Sequence, residues 1–316
     1  MKILSSINIG ESNVELVKKK YHFIEYLMFK NIEEAGEHLE DAEVFVTFGF
    51  DTTADLIEKM KNLKWIQSMS TGIDMLPFEK LKERNILLTN VTGIHGIPIA
   101  EYVMAVILND RIDGFTHYEQ QKNKIWKRKM EFEELYGKTI AILGTGTIGK
   151  EIARKAKAFD MYTIGVNTSG KPVDYFDKTL PICELNGALS QGDYIVDTLP
   201  LTDQTRRILG KEQFASMKSS AYFINIGRGA TVDEEALIEA LQNHIIRGAT
   251  LDVFEKEPLS QTSPLWTMKN VYITPHISGL SNMYMNRAFP IFEHNLKTYL
   301  EGKEDYINKI DLDKKY

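Results

Sequence analysis

The feature that most constrains this chain is a glycine pattern placed between an apolar segment and a helical one. Thr139–Leu143 is apolar and leads directly into Gly144, Gly146 and Gly149, which are spaced as G-x-G-x-x-G. In this position the first glycine permits a tight turn, the second lets backbone N–H groups approach a pyrophosphate, and the third lets helix and strand pack closely. The helix predicted over 147–159 would present the partial positive charge of its N-terminus there. The pattern therefore predicts a dinucleotide-binding βαβ unit rather than an ordinary glycine-rich turn.

Short apolar runs alternate with helical patterns on both sides of the glycines. Before them, strands are predicted at 2–6, 44–48, 65–69 and 86–89, with a helix at 53–61. From the glycine unit onward, strands are predicted at 139–143, 162–166, 194–198, 221–226, 249–253 and 271–274. Such alternation is typical of parallel βαβ sheets. The sequence thus predicts an α/β fold with two doubly wound parallel-sheet domains, Rossmann-like or flavodoxin-like, separated by an interdomain cleft.

The domain limits follow from where the two strand–helix blocks meet. The chain has 316 residues, which suits two domains better than one core. An apolar helix is predicted at 97–108 and an amphipathic tail helix at 286–302, the latter in spite of Pro290. We therefore expect a substrate (catalytic) domain at 1–96 plus 283–316, and a dinucleotide-binding domain at 97–282.

The composition argues against several kinds of binding partner. The formal net charge of -6 argues against nucleic acid as the main partner. Cys183 is the only cysteine, which precludes an intrachain disulfide and a cysteine-based metal cluster. The first residues do not have a signal-peptide layout, and no apolar run approaches the ~20 residues that cross a bilayer. We therefore expect a cytoplasmic protein with no metal, no membrane and no nucleic-acid partner.

Three residues at predicted strand ends suggest a reaction. Arg228, Glu257 and His276 each follow an apolar strand, and the carboxyl ends of parallel strands face the ligand crevice. Histidine can donate a proton to a carbonyl oxygen, a carboxylate can hold the other ring nitrogen, and arginine can grip a 2-oxo acid through a planar two-pronged contact. Singly, they could be a surface cation, a solvated carboxylate and a loop histidine. Together, after a dinucleotide unit, they favour carbonyl reduction.

Five segments carry a family resemblance over nearly the whole chain. They read LGTGTIG (143–149), DTLPLTDQT (197–205), NIGRGATVD (225–233), LDVFEKEP (251–258) and TPHISG (274–279). With them the chain resembles the D-isomer-specific 2-hydroxyacid dehydrogenase family, which includes phosphoglycerate dehydrogenases and glyoxylate/hydroxypyruvate reductases. The resemblance implies hydride transfer between NAD(P)H and a small 2-oxo or D-2-hydroxy acid. It implies that Arg228 binds and activates substrate, that His276 is the acid/base, and that Glu257 is its partner.

The resemblance also implies the cofactor and substrate contacts. We expect Asp252 near the nicotinamide amide, and a cofactor lined by Gly144, Gly146, Thr147, Ile148, Gly149, Asn167, Thr168, Ser169, Thr198, Leu199, Pro200, Thr205, Ile226, Gly227, Asp252, Ser278 and Gly279. The segment STGID (70–74) resembles the family loop whose backbone N–H groups hold the substrate carboxylate, which assigns that role to Ser70, Thr71, Gly72 and Ile73.

The choice between NAD and NADP depends on Asn167. It stands at the end of the second strand of the glycine unit, where an acidic residue usually binds the ribose hydroxyls and repels a 2′-phosphate. Asn167, Thr168 and Ser169 can bind the hydroxyls without that repulsion, and Lys171 lies close by. The sequence leans toward NADP and does not exclude NAD; Asn167 could also simply serve a turn.

Several alternatives stay open at this point. His95 is a second candidate acid, although a structural or pocket role fits it better. The charged stretch 111–134 with Trp126 matches a segment that family members extend over a partner subunit, which suggests a homodimer. The absence of an added regulatory domain favours a short reductase of glyoxylate, hydroxypyruvate or a similar acid. The alternative from another class is a catalytically weak NAD(H)-sensing binding protein of the corepressor type, and formate dehydrogenase is disfavoured by Glu257.

Overall fold

The computed structural model describes residues 1–73, 75–128 and 132–313. The chain divides into two compact units, one formed by Met1–Ile94 with Ser281–Tyr316 and the other by His95–Leu280. Asp74, the last residue of the STGID segment, and residues 129–131 of the charged stretch lie outside the described residues.

The first unit is built on a parallel sheet. Its described strands are β1 (Lys2–Ser5), β2 (Glu25–Met28), β3 (Val44–Thr47), β4 (Trp65–Ser68) and β5 (Leu87–Thr89), in the order β2-β1-β3-β4-β5. Every side chain of β3 and β4 is buried, as expected for central strands with both faces covered. Helices α1 (Glu11–Lys20), α2 (Ala54–Lys59) and α3 (Phe78–Glu83) connect the strands. The hydroxyl of Thr53 caps α2 by accepting from the Leu56 N–H at 3.1 Å.

The C-terminal helix α10 (Tyr284–Leu300) belongs to the core of this first unit. Phe292 is fully buried on it and stacks on Trp65 of β4, with ring centroids 5.8 Å apart. Asn295, also buried, donates to the side chain of Gln67 at 3.1 Å. The helix continues through Pro290, as the sequence predicted. The core that packs on the first sheet therefore includes residues from the C-terminal part of the chain.

The second unit has a larger parallel sheet. Its described strands are β6 (Thr139–Leu143), β7 (Tyr162–Asn167), β8 (Lys178–Pro181), β9 (Tyr194–Asp197), β10 (Tyr222–Asn225), β11 (Gly248–Leu251) and β12 (Val271–Ile273), in the order β12-β11-β10-β9-β6-β7-β8. After β8 the chain crosses to the other side of β6 to form β9. The connections after β6 and β9 therefore leave in opposite directions, which opens a crevice at the carboxyl edge of the sheet.

Helices cover both faces of this sheet. They are α4 (Gly96–Arg111), α5 (Gly114–Lys122), α6 (Thr147–Lys157), α7 (Leu185–Leu189), α8 (Lys211–Ser216) and α9 (Glu234–Gln242). Successive residues of β10 enter different apolar clusters, because neighbouring side chains of a strand point to opposite faces. Ile224 packs with residues of α4 and α6, such as Ile107 and Ile152, whereas Phe223 packs with Phe214 of α8. The predicted α/β class with parallel sheets is confirmed.

Two strands were not predicted from the sequence. Strands β2 and β8 each lie at an edge of their sheet. Each contains charged or proline residues, including Glu25, Lys178 and Pro181, which edge strands accept because one side is unpaired. The predicted strands were found, most of them one or two residues shorter than expected, and Thr139–Leu143 has its predicted bounds.

A polar cluster fastens α4 to the amino edge of the second sheet. Asp110 accepts two hydrogen bonds from Arg247, at 2.6 and 2.9 Å, and one from the hydroxyl of Tyr194 at 2.6 Å. Burial alone would raise the pKa of Asp110, but the hydrogen bonds and charge of Arg247, together with Tyr194 and Arg111, hold it below its ordinary value. The ionised carboxylate thus joins a helix end to two strands.

Replacing Asp110 with Ala should lower the free energy of unfolding by about 2–4 kcal/mol, because Arg247 and Tyr194 would lose their shared acceptor. Urea denaturation followed by circular dichroism measures this change. The effect should be full above the ordinary carboxyl pKa and shrink as the pH falls, since a depressed native pKa stabilises only the ionised form. The control is Glu239→Ala, which breaks an exposed pair with Lys211. Equal effects of the two substitutions would contradict a structural role for Asp110.

Candidate active site

The three glycines of the loop between β6 and α6 are required for different reasons. Gly144 has φ +99°, and a Cβ there would lie 2.5 Å from the hydroxyl of Thr198. A Cβ on Gly149 would overlap the carbonyl oxygen of Gly144. Gly146 differs, because a Cβ on it would meet nothing within 4 Å. Packing therefore explains the first and third glycines, whereas the second leaves open space at the start of α6 that suits a ligand approaching the backbone.

Thr147 and Ile148 form the first turn of α6, which follows this open space. Thr147 is exposed and Ile148 is half-buried. Unpaired N–H groups and the partial positive charge at this helix end favour a phosphate group. The residues present thus fit the pyrophosphate of a dinucleotide.

Asn167 ends β7, and both polar atoms of its side chain have partners in the turn that follows or in the glycine loop. Its side-chain oxygen accepts from the N–H groups of Ser169 (3.1 Å) and Gly170 (2.7 Å). Its amide nitrogen donates to Thr145 of the glycine loop and to the carbonyl of Lys171, both at 3.1 Å. The structure thus shows Asn167 as a turn residue, with Thr168, Ser169 and Lys171 exposed at the tip.

The segment after β9 is hydrogen-bonded both internally and to the end of β6, next to the glycine loop. Thr198 donates to the carbonyl of Leu143 at 2.7 Å, which ties this segment to the end of β6. Leu199 is buried and Pro200 is exposed. Thr205 donates to the carbonyl of Pro200 at 2.6 Å and closes the following turn. Thr198, Leu199 and Pro200 therefore border the glycine loop, while Thr205 shapes their segment.

Arg228 stands on a tightly packed loop after β10. A Cβ on Gly227 would lie 2.8 Å from the carbonyl oxygen of Leu199, and one on Gly229 would overlap the backbone of Phe254. Ile226, which precedes them, is buried. The guanidinium of Arg228 donates to the Gly227 carbonyl at 2.9 Å. The loop is therefore held on both sides, and the half-buried Arg228 side chain extends from a fixed backbone.

Asp252 fixes the loop that carries His276. This fully buried carboxylate accepts from the N–H groups of Ile277 (2.8 Å) and Ser278 (2.9 Å) and from the hydroxyl of Thr274 (2.5 Å). The hydroxyl of Tyr102 on α4 lies 2.6 Å from that of Thr274 and extends the network. His276 itself has φ +53°, a left-handed conformation that such a network can hold.

His276 and Glu257, which follow different strands, lie side by side. Nδ1 of His276 lies 2.8 Å from Oε2 of Glu257, and Oε1 of Glu257 accepts from the Phe254 N–H at 3.1 Å. The Phe254 N–H thus orients Glu257, and a hydrogen on Nδ1 of His276 would point to this side chain, while Nε2 lies on the other side of the ring.

His95 lies beside the same loop. A Cβ on Gly279 would lie 2.9 Å from its ring, so glycine is needed for this approach. Burial, and then the positive charge of Arg228, lower the pKa of His95. A neutral imidazole at this place is a poor proton donor, which supports a structural or pocket role.

The first unit contains the remaining predicted residues. Ser70, Thr71, Gly72 and Ile73 follow β4, where the Ser70 N–H donates to the Ser68 hydroxyl at 3.2 Å. Asn90 donates to the carbonyl of Thr71 at 3.2 Å. Side chains of Ser68 and Asn90 thus hold the start of this loop, and Thr71 and Gly72 are half-buried.

Sequence reasoning missed several residues that hold the site. Asp197, Asn225, Thr231 and Thr274 were not assigned individual roles, although all lie within the quoted motifs. A usable signal exists, because apolar strands β9 and β10 each end in a buried Asp or Asn and these ends are paired in register. A polar residue at the last position of a buried strand has to be hydrogen-bonded, and the loop that follows is the nearest partner.

The described residues contain no group of three or more His, Cys, Asp or Glu side chains arranged to hold a metal ion. None of the helices in the described ranges combines the length and the apolar character that membrane crossing requires.

Comparison with known proteins identifies the family. Residues 104–278 match the model of the D-isomer specific 2-hydroxyacid dehydrogenase NAD binding domain. The chain is 35% identical over 287 residues to a D-3-phosphoglycerate dehydrogenase of Methanocaldococcus jannaschii, which covers 87% of this chain but only 53% of that protein. The chain therefore spans about half the length of that relative.

Two further proteins are similar over most of both chains. A glyoxylate/hydroxypyruvate reductase B of Yersinia pestis is 35% identical over 279 residues, which cover 85% of each chain. The structure of an NADPH-dependent glyoxylate/hydroxypyruvate reductase of Sinorhizobium meliloti, in complex with NADP and sulfate, is 26% identical. It superimposes with a TM-score of 0.81 and covers 100% of this chain and 99% of that one. The resemblance read from the motifs is confirmed, and the chain belongs to the D-isomer specific 2-hydroxyacid dehydrogenase family.

Proposed function

We propose that this protein catalyses the reversible, NAD(P)-dependent reduction of small 2-oxo acids to D-2-hydroxy acids. The observation that carries the proposal is the 2.8 Å bond between His276 and Glu257, on loops at the carboxyl edge of a sheet with a glycine loop fit for a dinucleotide. Membership of a dehydrogenase family and the names of the relatives support the same reaction class.

The protein side of the reaction is a proton transfer. A 2-oxo acid becomes a 2-hydroxy acid when C2 gains a hydride and the carbonyl oxygen gains a proton. A bound nicotinamide dinucleotide supplies the hydride. His276 would give the proton from Nε2 in reduction and take it back in oxidation, while Glu257 holds Nδ1 and stabilises the charged ring. Arg228 would bind the acid through its planar guanidinium and polarise the carbonyl.

The cofactor would be held by the segments that follow β6, β7, β9 and β10. The backbone near Gly146 and the first turn of α6 suit the pyrophosphate, and the turn at Asn167 suits the adenosine ribose. We propose NADP as the preferred form, because hydroxyls and Lys171 rather than a carboxylate are exposed at that turn. The NADP complex of the Sinorhizobium reductase supports this preference.

The substrate class is small acids such as glyoxylate and hydroxypyruvate. The Yersinia and Sinorhizobium relatives are both named as glyoxylate/hydroxypyruvate reductases, which supports this choice. In the first unit, the loop Ser70–Ile73 would bind the substrate carboxylate through backbone N–H groups that follow Ser70, whose own N–H is bonded to Ser68; the bonds at Ser70 and Thr71 would hold the start of this loop. The alternative of a cofactor-sensing binding protein without catalysis is disfavoured by the intact His276–Glu257 bond.

A panel of 2-oxo acids with NADPH and NADH tests this function. Glyoxylate or hydroxypyruvate should be turned over faster than branched or aromatic acids. Replacing His276 with Ala should lower kcat by about 100-fold or more, because the proton donor is lost. Binding of NADPH, followed by its fluorescence, should stay near the wild-type level.

The matched control is His294→Ala, which removes an exposed imidazole that contacts the Asp305 carbonyl within the first unit. It should leave turnover unchanged. Activity confined to branched or aromatic acids would contradict the proposed substrate class, and full turnover by the His276 variant would remove this residue from the reaction.

Replacing Asn167 with Asp should lower the ratio of kcat/KM for NADPH to kcat/KM for NADH by about tenfold or more. A carboxylate would repel the 2′-phosphate, and it could no longer donate to the Lys171 carbonyl. The control is Asn243→Asp, which makes the same change at an exposed helix end. An unaltered ratio in the Asn167 variant would show that this position does not read the ribose.

We further propose that the protein is a homodimer. Large apolar side chains are exposed together on and after α5, among them Tyr118, Ile125 and Trp126, of which Trp126 is 95% exposed. Such a group of side chains marks an association surface. Sedimentation velocity should show a dimer for the wild type and a weaker dimer for Trp126→Ser, with Trp266→Ser as the control for another exposed tryptophan. A monomeric wild type would overturn this proposal.

A further inference from the structure

One buried carboxyl group has no part in the reaction described above. Asp197 is the last residue of β9 and is fully buried. Its Oδ1 accepts from the Leu199 N–H at 2.9 Å, and its Oδ2 lies 2.6 Å from the hydroxyl of Thr231. Its register neighbours on the adjacent strands are Leu143 and Asn225, neither of which is charged.

The hydroxyl of Thr231 cannot satisfy both of its neighbours if Asp197 is ionised. Thr231 Oγ1 lies 2.6 Å from Oδ2 of Asp197 and also 2.6 Å from the main-chain carbonyl of Arg228. A hydroxyl has one hydrogen, whereas a carboxylate and a carbonyl are both acceptors only. With an ionised Asp197, one of the two short O···O contacts would have no hydrogen in it. With a protonated Asp197, the carboxyl donates to Thr231, and Thr231 donates to the Arg228 carbonyl.

We propose that Asp197 is a positioning residue that carries a proton on Oδ2 and, through the hydroxyl of Thr231, fixes the backbone from which Arg228 extends. The role of Arg228 as the substrate-binding cation rests on the proposed function; the proton on Asp197 does not. Asp197 itself touches neither substrate nor cofactor in this proposal.

The surroundings favour the neutral carboxyl. Burial raises the pKa of Asp197 to about 6, against the opposing effects of the Thr231 hydroxyl and the Leu199 N–H. Charged groups on neighbouring segments have other partners: Arg207 pairs with Glu255 at 2.9 Å, and Asp233 caps α9. The guanidinium of Arg228 donates to the Gly227 carbonyl, and it is the main-chain carbonyl of Arg228 that contacts Thr231.

The network therefore depends on pH. Below a pH of about 6 both short contacts contain a hydrogen. Above that value Asp197 loses its proton and Thr231 turns its hydrogen to the carboxylate. The Arg228 carbonyl then keeps only its longer hydrogen bonds, from the Thr231 N–H at 3.2 Å and the Asn225 side-chain amide at 3.5 Å. Gly227 and Gly229 pack closely on neighbouring backbones on either side of Arg228, so the Thr231 hydrogen bond adds to a backbone that is already held, and its loss should shift the Arg228 side chain only slightly. We expect weaker substrate binding at the higher pH.

The proton is tested without substrate. Asp197→Asn keeps an acceptor for Leu199 and supplies an N–H donor to Thr231, so it mimics the neutral acid. The infrared difference spectrum of wild type minus this variant at about pH 5 should contain the carbonyl stretch of a protonated buried carboxyl. The wild-type thermal midpoint should fall by several degrees relative to the variant between about pH 4 and pH 7, because a raised native pKa loses its stabilisation as the pH rises. Absence of the carbonyl band, or a constant difference in midpoint, overturns the proposal.

The positioning role is tested on the holoenzyme with NADPH and glyoxylate. Thr231→Val should raise KM for glyoxylate by about tenfold with a smaller change in kcat, and Thr231→Ser should restore KM by returning the hydroxyl. Thr250→Val is the matched control, since it removes a buried hydroxyl that contacts Tyr222 in the same sheet. The wild-type KM should rise as the pH passes about 6, and that of Asp197→Asn should not.

Equal effects of Thr231→Val and Thr250→Val, or no rescue by serine, would overturn the positioning role. A wild type that turns over no 2-oxo acid with either cofactor contradicts the proposed function instead. In that case the infrared and thermal measurements still decide whether Asp197 holds a proton.

Discussion

Parallel strand pairing is the constraint on which the second unit depends. Because all its described strands pair in parallel, every strand ends at the same edge, and the loops that follow have to find hydrogen-bond partners there. The central strands supply these partners themselves. Asp197 accepts from the N–H two residues later, and Asn225 does the same for Gly227 at 3.1 Å. The same local turn thus repeats on neighbouring strands.

Asp252 extends this principle across the sheet. It reaches the loop after β12 rather than its own, and its three acceptor contacts set the backbone on which His276 stands. Glu257 then needs only to orient a ring whose position is already fixed. Polar groups that would be costly if left unpaired in the core are here used to hold the site. The backbone of the candidate site is therefore held by buried side chains outside the His276–Glu257 pair.

Much of this arrangement could be predicted from the sequence, because it depends on local patterns. The glycine spacing located β6 and α6, and the apolar runs located the central strands. Edge strands β2 and β8 were not predicted, because a strand with one unpaired side can contain charged residues and proline and so lacks a clear apolar pattern. Asn167 shows a second limit of sequence-based prediction. Its residue type is compatible with ribose binding, but only the structure shows that its side chain forms hydrogen bonds within a turn. The proton shared by Asp197 and Thr231 depends on two distances that no sequence pattern contains.

The return of α10 to the first unit has a consequence for synthesis. The second unit is a continuous segment of chain and can fold as soon as its last strand has left the ribosome. The first unit is completed only after the second, because Phe292 and Asn295 belong to its core and follow the whole second unit in the chain. Until α10 has been made, residues 1–94 leave exposed the surface that α10 covers. The unit whose synthesis begins first is therefore the unit whose core is completed last.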